Sequence, residues 1–164
     1  MKTLIIIACL LWSSLTYAQC LVESYFSPYD NVEAVVIDNL SKAQISIHCS
    51  LYGIDNQKIT DTMKAAISNK VDVKLCLDKM QSAGKGSTHK QLMDAGADVV
   101  IKPEIVLEHN KFCVIDNHRV IMGSWNFSVN AQHQDNSMVV LSSCDDIVKH
   151  FEDAFQRIYI RDKK

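Results

Sequence analysis

The chain has 164 residues, 48% of them apolar and 22% charged, with five glycines and two prolines. That is material for one globular domain with a core and too little for two, and it excludes a disordered tail or a low-complexity binding segment. A formal charge of −2 gives no general excess of Lys and Arg with which to hold a polyanion, so any phosphate affinity has to be local.

Residues 1–18 read as a signal peptide: Lys2, an apolar run from Leu4 to Trp12, then small and polar residues ending at Ala18. The run is well short of the ~20 residues that span a bilayer. An uncleaved anchor and lipid attachment at Cys20 are the alternatives. Cleavage would leave residues 19–164 as a single periplasmic or secreted domain with no stable membrane insertion, carrying sixteen basic and nineteen acidic side chains and five cysteines. An odd cysteine count in an exported chain requires one thiol to stay free or to pair between chains. Cys49, Cys76 and Cys113 lie in apolar runs and read as small core hydrophobes, whereas Cys20 and Cys144 lie outside such runs and read as the disulfide formers. No C-x-x-C pair or zinc-ligand spacing occurs, which argues against a structural metal.

In chain order, Ser27-Pro28 followed by Val32, Val35, Val36 and Leu40 predicts a helix over 28–41. Alternation of Ile45, Ile47, Cys49 and Leu51 predicts a strand over 44–51. Asp55 or Asn56 can cap a second helix with Ile59, Met63, Ala66 and Ile67 on one face, and 71–77 alternates again. Residues 78–87 read as a polar loop that lacks P-loop spacing. A short helix over 88–95 stops at Gly96, and a strand over 98–102 ends at Pro103. Runs 111–115 and 119–122 around Asp116-Asn117-His118 predict a hairpin. A strand over 137–141 follows, and Ser143 with Asp146 resembles a capping box for a closing amphipathic helix. Strands interleaved with helices indicate an α/β layered domain with a mixed sheet.

The chemistry concentrates between 109 and 136. His109 and Lys111 are two apart, so on a strand they project from one face as a nucleophile beside a phosphate clamp. Asp116 completes an H-x-K-x₄-D spacing that chance produces in roughly one chain of this length in a hundred. Downstream, Gly123-Ser124-Trp125-Asn126-Phe127-Ser128 offers close backbone approach and hydrogen-bond donors, and Asp135-Asn136 precedes the next strand. Trp125 and Phe127 are either core or base-stacking residues. His48, His89, His118, His133 and His150 have no partner pattern and read as surface or locally bonded. Lys79, Lys85 and Lys90 form either a solvated loop or a phosphate-tracking rim.

From Tyr25 to Tyr159 the sequence resembles the phospholipase D superfamily, most closely its short bacterial endonucleases with a single H-K-D motif. The motif block carries the resemblance, with Phe26-Ser27-Pro28, Ser41-Lys42-Ala43 and Val71-Asp72-Val73-Lys74 as weaker flanking matches. It implies a phospholipase D/nuclease-like fold with helices on both faces of the sheet. It also implies a homodimer whose site needs a motif from each chain, and a metal-independent phosphodiesterase acting on DNA or RNA with no cofactor. His109 would be nucleophile in one copy and acid in the other, with Lys111 and Asn126 holding phosphate oxygens. Asp116 would be structural and Ser124 a supporting donor. Asp135 stands where the family generally has a glutamate that orients the histidine. Cardiolipin or phospholipid hydrolysis, and an idle nucleic-acid-binding protein, are the alternative readings.

Overall fold

The computed structural model describes residues 19–103 and 106–163, so the leader read at 1–18 lies outside the described residues. The strands are β1 (Leu21–Ser27), β2 (Ser46–Leu51), β3 (Asp72–Leu77), β4 (Asp98–Ile101), β5 (Lys111–Ile115), β6 (Arg119–Gly123) and β7 (Asn136–Ser142). The helices are α1 (Val32–Ser41), α2 (Gln57–Ser68), α3 (Lys79–Ser82), α4 (His89–Ala95) and α5 (Asp145–Asp162), with a 3₁₀ turn at Val129–His133.

All seven strands form one mixed sheet in the order β1-β7-β6-β5-β2-β3-β4. The β2–β3–β4 stretch is parallel and the remainder antiparallel. One face buries Ile47, Cys49, Leu51, Cys113 and Ile115 against α1 and α2. The other buries Phe112, Val114 and Val120 against Val148, Phe155 and Tyr159 of α5. This two-sided burial explains why β2 and β5 are buried at every position despite an alternating sequence: the polar members meet partners. His48, for instance, is buried, bonds Glu152 of α5 at 2.8 Å and stacks on Phe155 at 5.0 Å. It is an internal tie between sheet and helix.

Four local expectations change. Ser27 does not cap a helix; it ends β1, an edge strand the sequence did not announce, and its hydroxyl donates to Gln134 O at 2.7 Å. Asn31 caps α1 instead, accepting from Ala34 N–H. The polar stretch 78–87 contains α3, because Asp78 accepts from the Met80 and Gln81 amides. Ser143 sits at φ 56° and caps nothing. Position 144 precedes α5, and its sulfur is committed to Cys20, so Asp145 and Asp146 supply the negative charge that the helix N-terminus favours.

The fourth change concerns the cysteines. Cys20–Cys144 is a disulfide as read, but Cys49 and Cys113 are also joined. They face each other in the β2–β5 register, with Cα atoms 4.1 Å apart. Cys76 is the free, buried thiol.

Candidate active site

The turns at one end of the sheet assemble the site. There β2 leads to Tyr52, β3 to Asp78, β6 to Ser124, and β5 and β7 begin. Tyr52 N–H donates to Asn110 O at 2.9 Å, carrying the β2–β5 pairing one step past Lys111 and holding the chain at His109 in line with it. His109 is exposed and Lys111 is buried beneath it. The Lys111 ammonium donates to the His109 carbonyl at 2.6 Å. Tyr52 joins the two: its ring meets the imidazole edge-on at 4.9 Å, and Lys111 Nζ lies 5.0 Å from its centroid. The Tyr52 hydroxyl accepts from Gln81 of α3 at 2.8 Å.

Burial lowers the pKa of Lys111, and the neighbouring Glu108 carboxylate works against that shift. Glu108 has no exposure, lies 3.2 Å from Lys102 Nζ, and accepts from both the backbone and the side-chain amide of Asn110. It thereby shapes the turn that presents His109. Sequence reasoning missed both Glu108 and Tyr52. A glutamate in a polar loop looks solvated, and only the Leu51–Lys111 register brings position 52 to the motif.

Asn126 shares a polar cleft with Tyr52, and its Oδ1 is buried without a hydrogen-bond partner. Just before it, Gly123 lets β6 lie close against β7, since a Cβ there would lie 2.1 Å from Ser137 O. Trp125 and Phe127 flank Asn126 as core: both are buried and pack edge-on at 5.9 Å, so neither is open to stack on a base.

Other expected residues lie apart. Asp116 is at the opposite end of β5, where its carboxylate accepts from the Gln44, Ile45 and Ser46 amides. Burial alone would raise its pKa, but those amide bonds hold it below the ordinary value. Ser124 donates to Asn136 Oδ1 and accepts from Ser137 N–H, both at 3.0 Å. Asp135 is exposed beside Ser124, Phe26 and Tyr29, and among the described residues no hydrogen bond joins it to His109. The orienting contact implied by the family glutamate is therefore not made within one chain; aspartate is one methylene shorter. Lys79, Lys85 and Lys90 line one cleft, which meets the Asn126 cleft at Gly84 and Ser87.

A family model described as "Cardiolipin synthase, PLD-like domain" matches residues 36–159. The chain belongs to the phospholipase D superfamily. Among curated proteins of that kind, it is 33% identical over 120 residues to a "Phospholipase D" of Rickettsia typhi, covering 73% of this chain and 59% of the relative. It is 23% identical over 146 residues to a "Mitochondrial cardiolipin hydrolase" of Drosophila melanogaster, covering 77% and 58%. The chain thus spans about three-fifths of the length of the curated relatives it matches. The fold is that of a crystallised phospholipase D family member, Nuc from Salmonella typhimurium, with a TM-score of 0.81 at 22% identity, covering 88% of this chain and 96% of that one. NucT from Helicobacter pylori matches with a TM-score of 0.79 at 19% identity, covering 88% and 98%.

Proposed function

We propose that this protein is an exported nuclease that hydrolyses phosphodiester bonds of DNA or RNA through a phosphohistidine intermediate, in a site shared by two copies of the chain. The observation that carries the reading is the His109–Tyr52–Lys111 arrangement: an exposed imidazole fixed beside a buried ammonium. Among the described residues the imidazole makes no hydrogen bond, which leaves both nitrogens for substrate.

In the first step the neutral His109 attacks phosphorus and the P–O bond to the leaving group breaks. The partner's His109, protonated, gives its proton to the departing oxygen. In the second step that imidazole takes a proton from water, whose oxygen displaces His109 from phosphorus. Paired imidazoles titrate together, so one base and one acid arise from identical residues. Lys111 and Asn126 stabilise the charge on the phosphoryl oxygens; the positive charge comes from side chains, so a chelator should not stop the reaction. A twofold dimer supplies the second histidine, because it brings the same patch of both chains together.

Export is supported by two disulfides, which persist in oxidising compartments. Nucleic acid is supported by the lysine-lined cleft adjoining the site and by the fold likeness to Nuc and NucT. The names of the curated relatives favour a second reading, hydrolysis of a phospholipid diester. The test incubates residues 19–164 with plasmid, single-stranded DNA, RNA and cardiolipin vesicles, with and without EDTA, beside His109→Ala. Nucleic-acid cleavage that resists EDTA and vanishes in His109→Ala is expected. Turnover of cardiolipin alone selects the second reading, and sedimentation showing an active monomer contradicts the shared site.

A further inference from the structure

The cleft beside Asn126 differs in chemistry from the phosphate-handling groups next to it. Its volume is about 270 Å³, and its polar lining comes chiefly from Tyr52, Asp55, Gln81, Asn126, Asn130 and Gln134. Among the described residues no lysine, arginine or histidine lines it. Four carboxamides and a carboxylate are a poor seat for a second phosphate, which wants cations, and equally poor for an acyl chain, which would leave those polar groups desolvated and unpaired. They suit a neutral ring with a hydrogen-bonding edge. The volume falls just below the roughly 300–1,000 Å³ typical of drug-sized ligands, as expected for one small ring system. Adjoining it, and sharing Gly84 and Ser87, is the cleft that carries Lys79, Lys85 and Lys90.

Resting on the nuclease reading above, we infer that this cleft seats one unstacked nucleobase next to the scissile phosphate, with the following phosphate passing to the lysine cleft. The substrate is then single-stranded, because a base inside a duplex cannot enter a side pocket without being flipped out of the stack. Tyr52 and Asn126 belong to both the cleft and the reacting centre, so a base seated there lies one nucleotide from the bond that breaks.

Asp55 sets the preference. One of its oxygens accepts from Val129 N–H at 2.9 Å, which fixes the carboxylate at the cleft wall, and a carboxylate can only accept hydrogen bonds. Guanine presents two adjacent donors, N1–H and the N2 amino group, and fits this best. Uracil and thymine present one donor between two carbonyl oxygens, which the carboxylate repels.

The experiment uses the mature protein, a random single-stranded oligonucleotide pool in DNA and RNA forms, the same pool as duplex, and bis(4-nitrophenyl) phosphate as a base-free diester. The expected result is single strands cut in preference to duplex, with guanine enriched about tenfold over thymine or uracil beside the cut. Asp55→Asn keeps an acceptor for Val129 N–H and replaces the other oxygen with a donor. It should erase or invert the guanine bias while turnover of bis(4-nitrophenyl) phosphate stays within about twofold of wild type. Gln134→Ala, which only trims the cleft lining, should weaken the bias in the same assay and guards against a folding defect in the first variant. Nucleic acid cut with no base bias, or with a bias that both variants leave unchanged, overturns the base cleft and leaves the nuclease reading standing. Turnover of the base-free diester with no cutting of any nucleic acid overturns the nuclease reading, and the base cleft falls with it.

Discussion

The ring of Tyr52 and the imidazole of His109 meet edge-on with centroids 4.9 Å apart, while the Lys111 ammonium lies 5.0 Å from the centroid of the same ring. One aromatic side chain thus sets the spacing between the His109 imidazole and the Lys111 ammonium. It is itself held by Gln81, so α3 bears on the pair through Tyr52.

Replacing Tyr52 separates these roles. Tyr52→Phe keeps both ring contacts and loses only the Gln81 bond, so kcat on bis(4-nitrophenyl) phosphate should fall by no more than about threefold. Tyr52→Leu removes the cation–π contact and frees the imidazole, and kcat should fall by about 10- to 100-fold with a smaller change in KM. Steady-state kinetics on the three proteins decide the matter; a Leu variant indistinguishable from wild type would remove Tyr52 from the site.

Gly123 is required for space. A Cβ at this position would sit 2.1 Å from Ser137 O and 3.0 Å from Met138 Cα, both backbone atoms of the neighbouring strand. Gly123→Ala must push β6 from β7 at the point where the chain turns toward Asn126. Urea unfolding should show a loss of about 3 kcal/mol, with phosphodiesterase activity lost in the protein that still folds. An unchanged midpoint would mean that the strands part at little cost.

The sequence made the motif and most elements legible because both rest on local information. The H-x-K pair needs only a two-residue period, and the turn at Asp116-Asn117, with both residues at positive φ, uses the residue types such turns favour. What it concealed is long-range. Strand β1 is an edge strand exposed along most of its length, so it lacks the alternation that marks a half-buried strand. The Cys49–Cys113 bond depends on β2 lying next to β5 rather than next to β1, which no local pattern encodes. Glu108 and Tyr52 gain importance from neighbours 30 and 57 residues away, Asp78 for the first and His109 for the second.

Asp116 gives a pH signature. Its pKa lies below the ordinary 3.8 because three backbone amides bond the charged form. The unfolded chain therefore binds the proton more readily, and the stabilisation is present above the unfolded value and lost as pH falls through the folded one. Asp116→Asn retains an acceptor oxygen and loses the charge, so it should destabilise the protein by about 1–3 kcal/mol at neutral pH. As pH falls below the ordinary 3.8 and through the lower folded value, the gap from wild type should close. Parallel denaturant curves across that range test this; a gap independent of pH would mean that shape, not charge, makes Asp116 useful.

The five cysteines of the described chain differ in access, and that difference predicts an order of reaction. Cys20 is exposed and its partner Cys144 is buried with slight exposure, whereas Cys49, Cys113 and Cys76 have no exposure. Thiol–disulfide exchange needs a thiolate to reach sulfur, so dithiothreitol should open Cys20–Cys144 in the folded protein and leave Cys49–Cys113 intact until unfolding. Burial, and then the Glu108 and Asp162 carboxylates, push the Cys76 thiol up to about 12, so it carries almost no thiolate at neutral pH and should resist alkylation in the native state. Mass spectrometry after iodoacetamide labelling, with and without urea, reads all five positions at once. Opening Cys20–Cys144 releases a loop of 124 residues' separation and should cost about 2–4 kcal/mol of stability, yet spare activity, since neither cysteine touches the turns that hold His109, Lys111 and Asn126. Labelling of Cys49 or Cys113 before Cys20 would instead mean that β2 and β5 separate in the native state, and the His109–Tyr52 spacing could not then be fixed by their pairing.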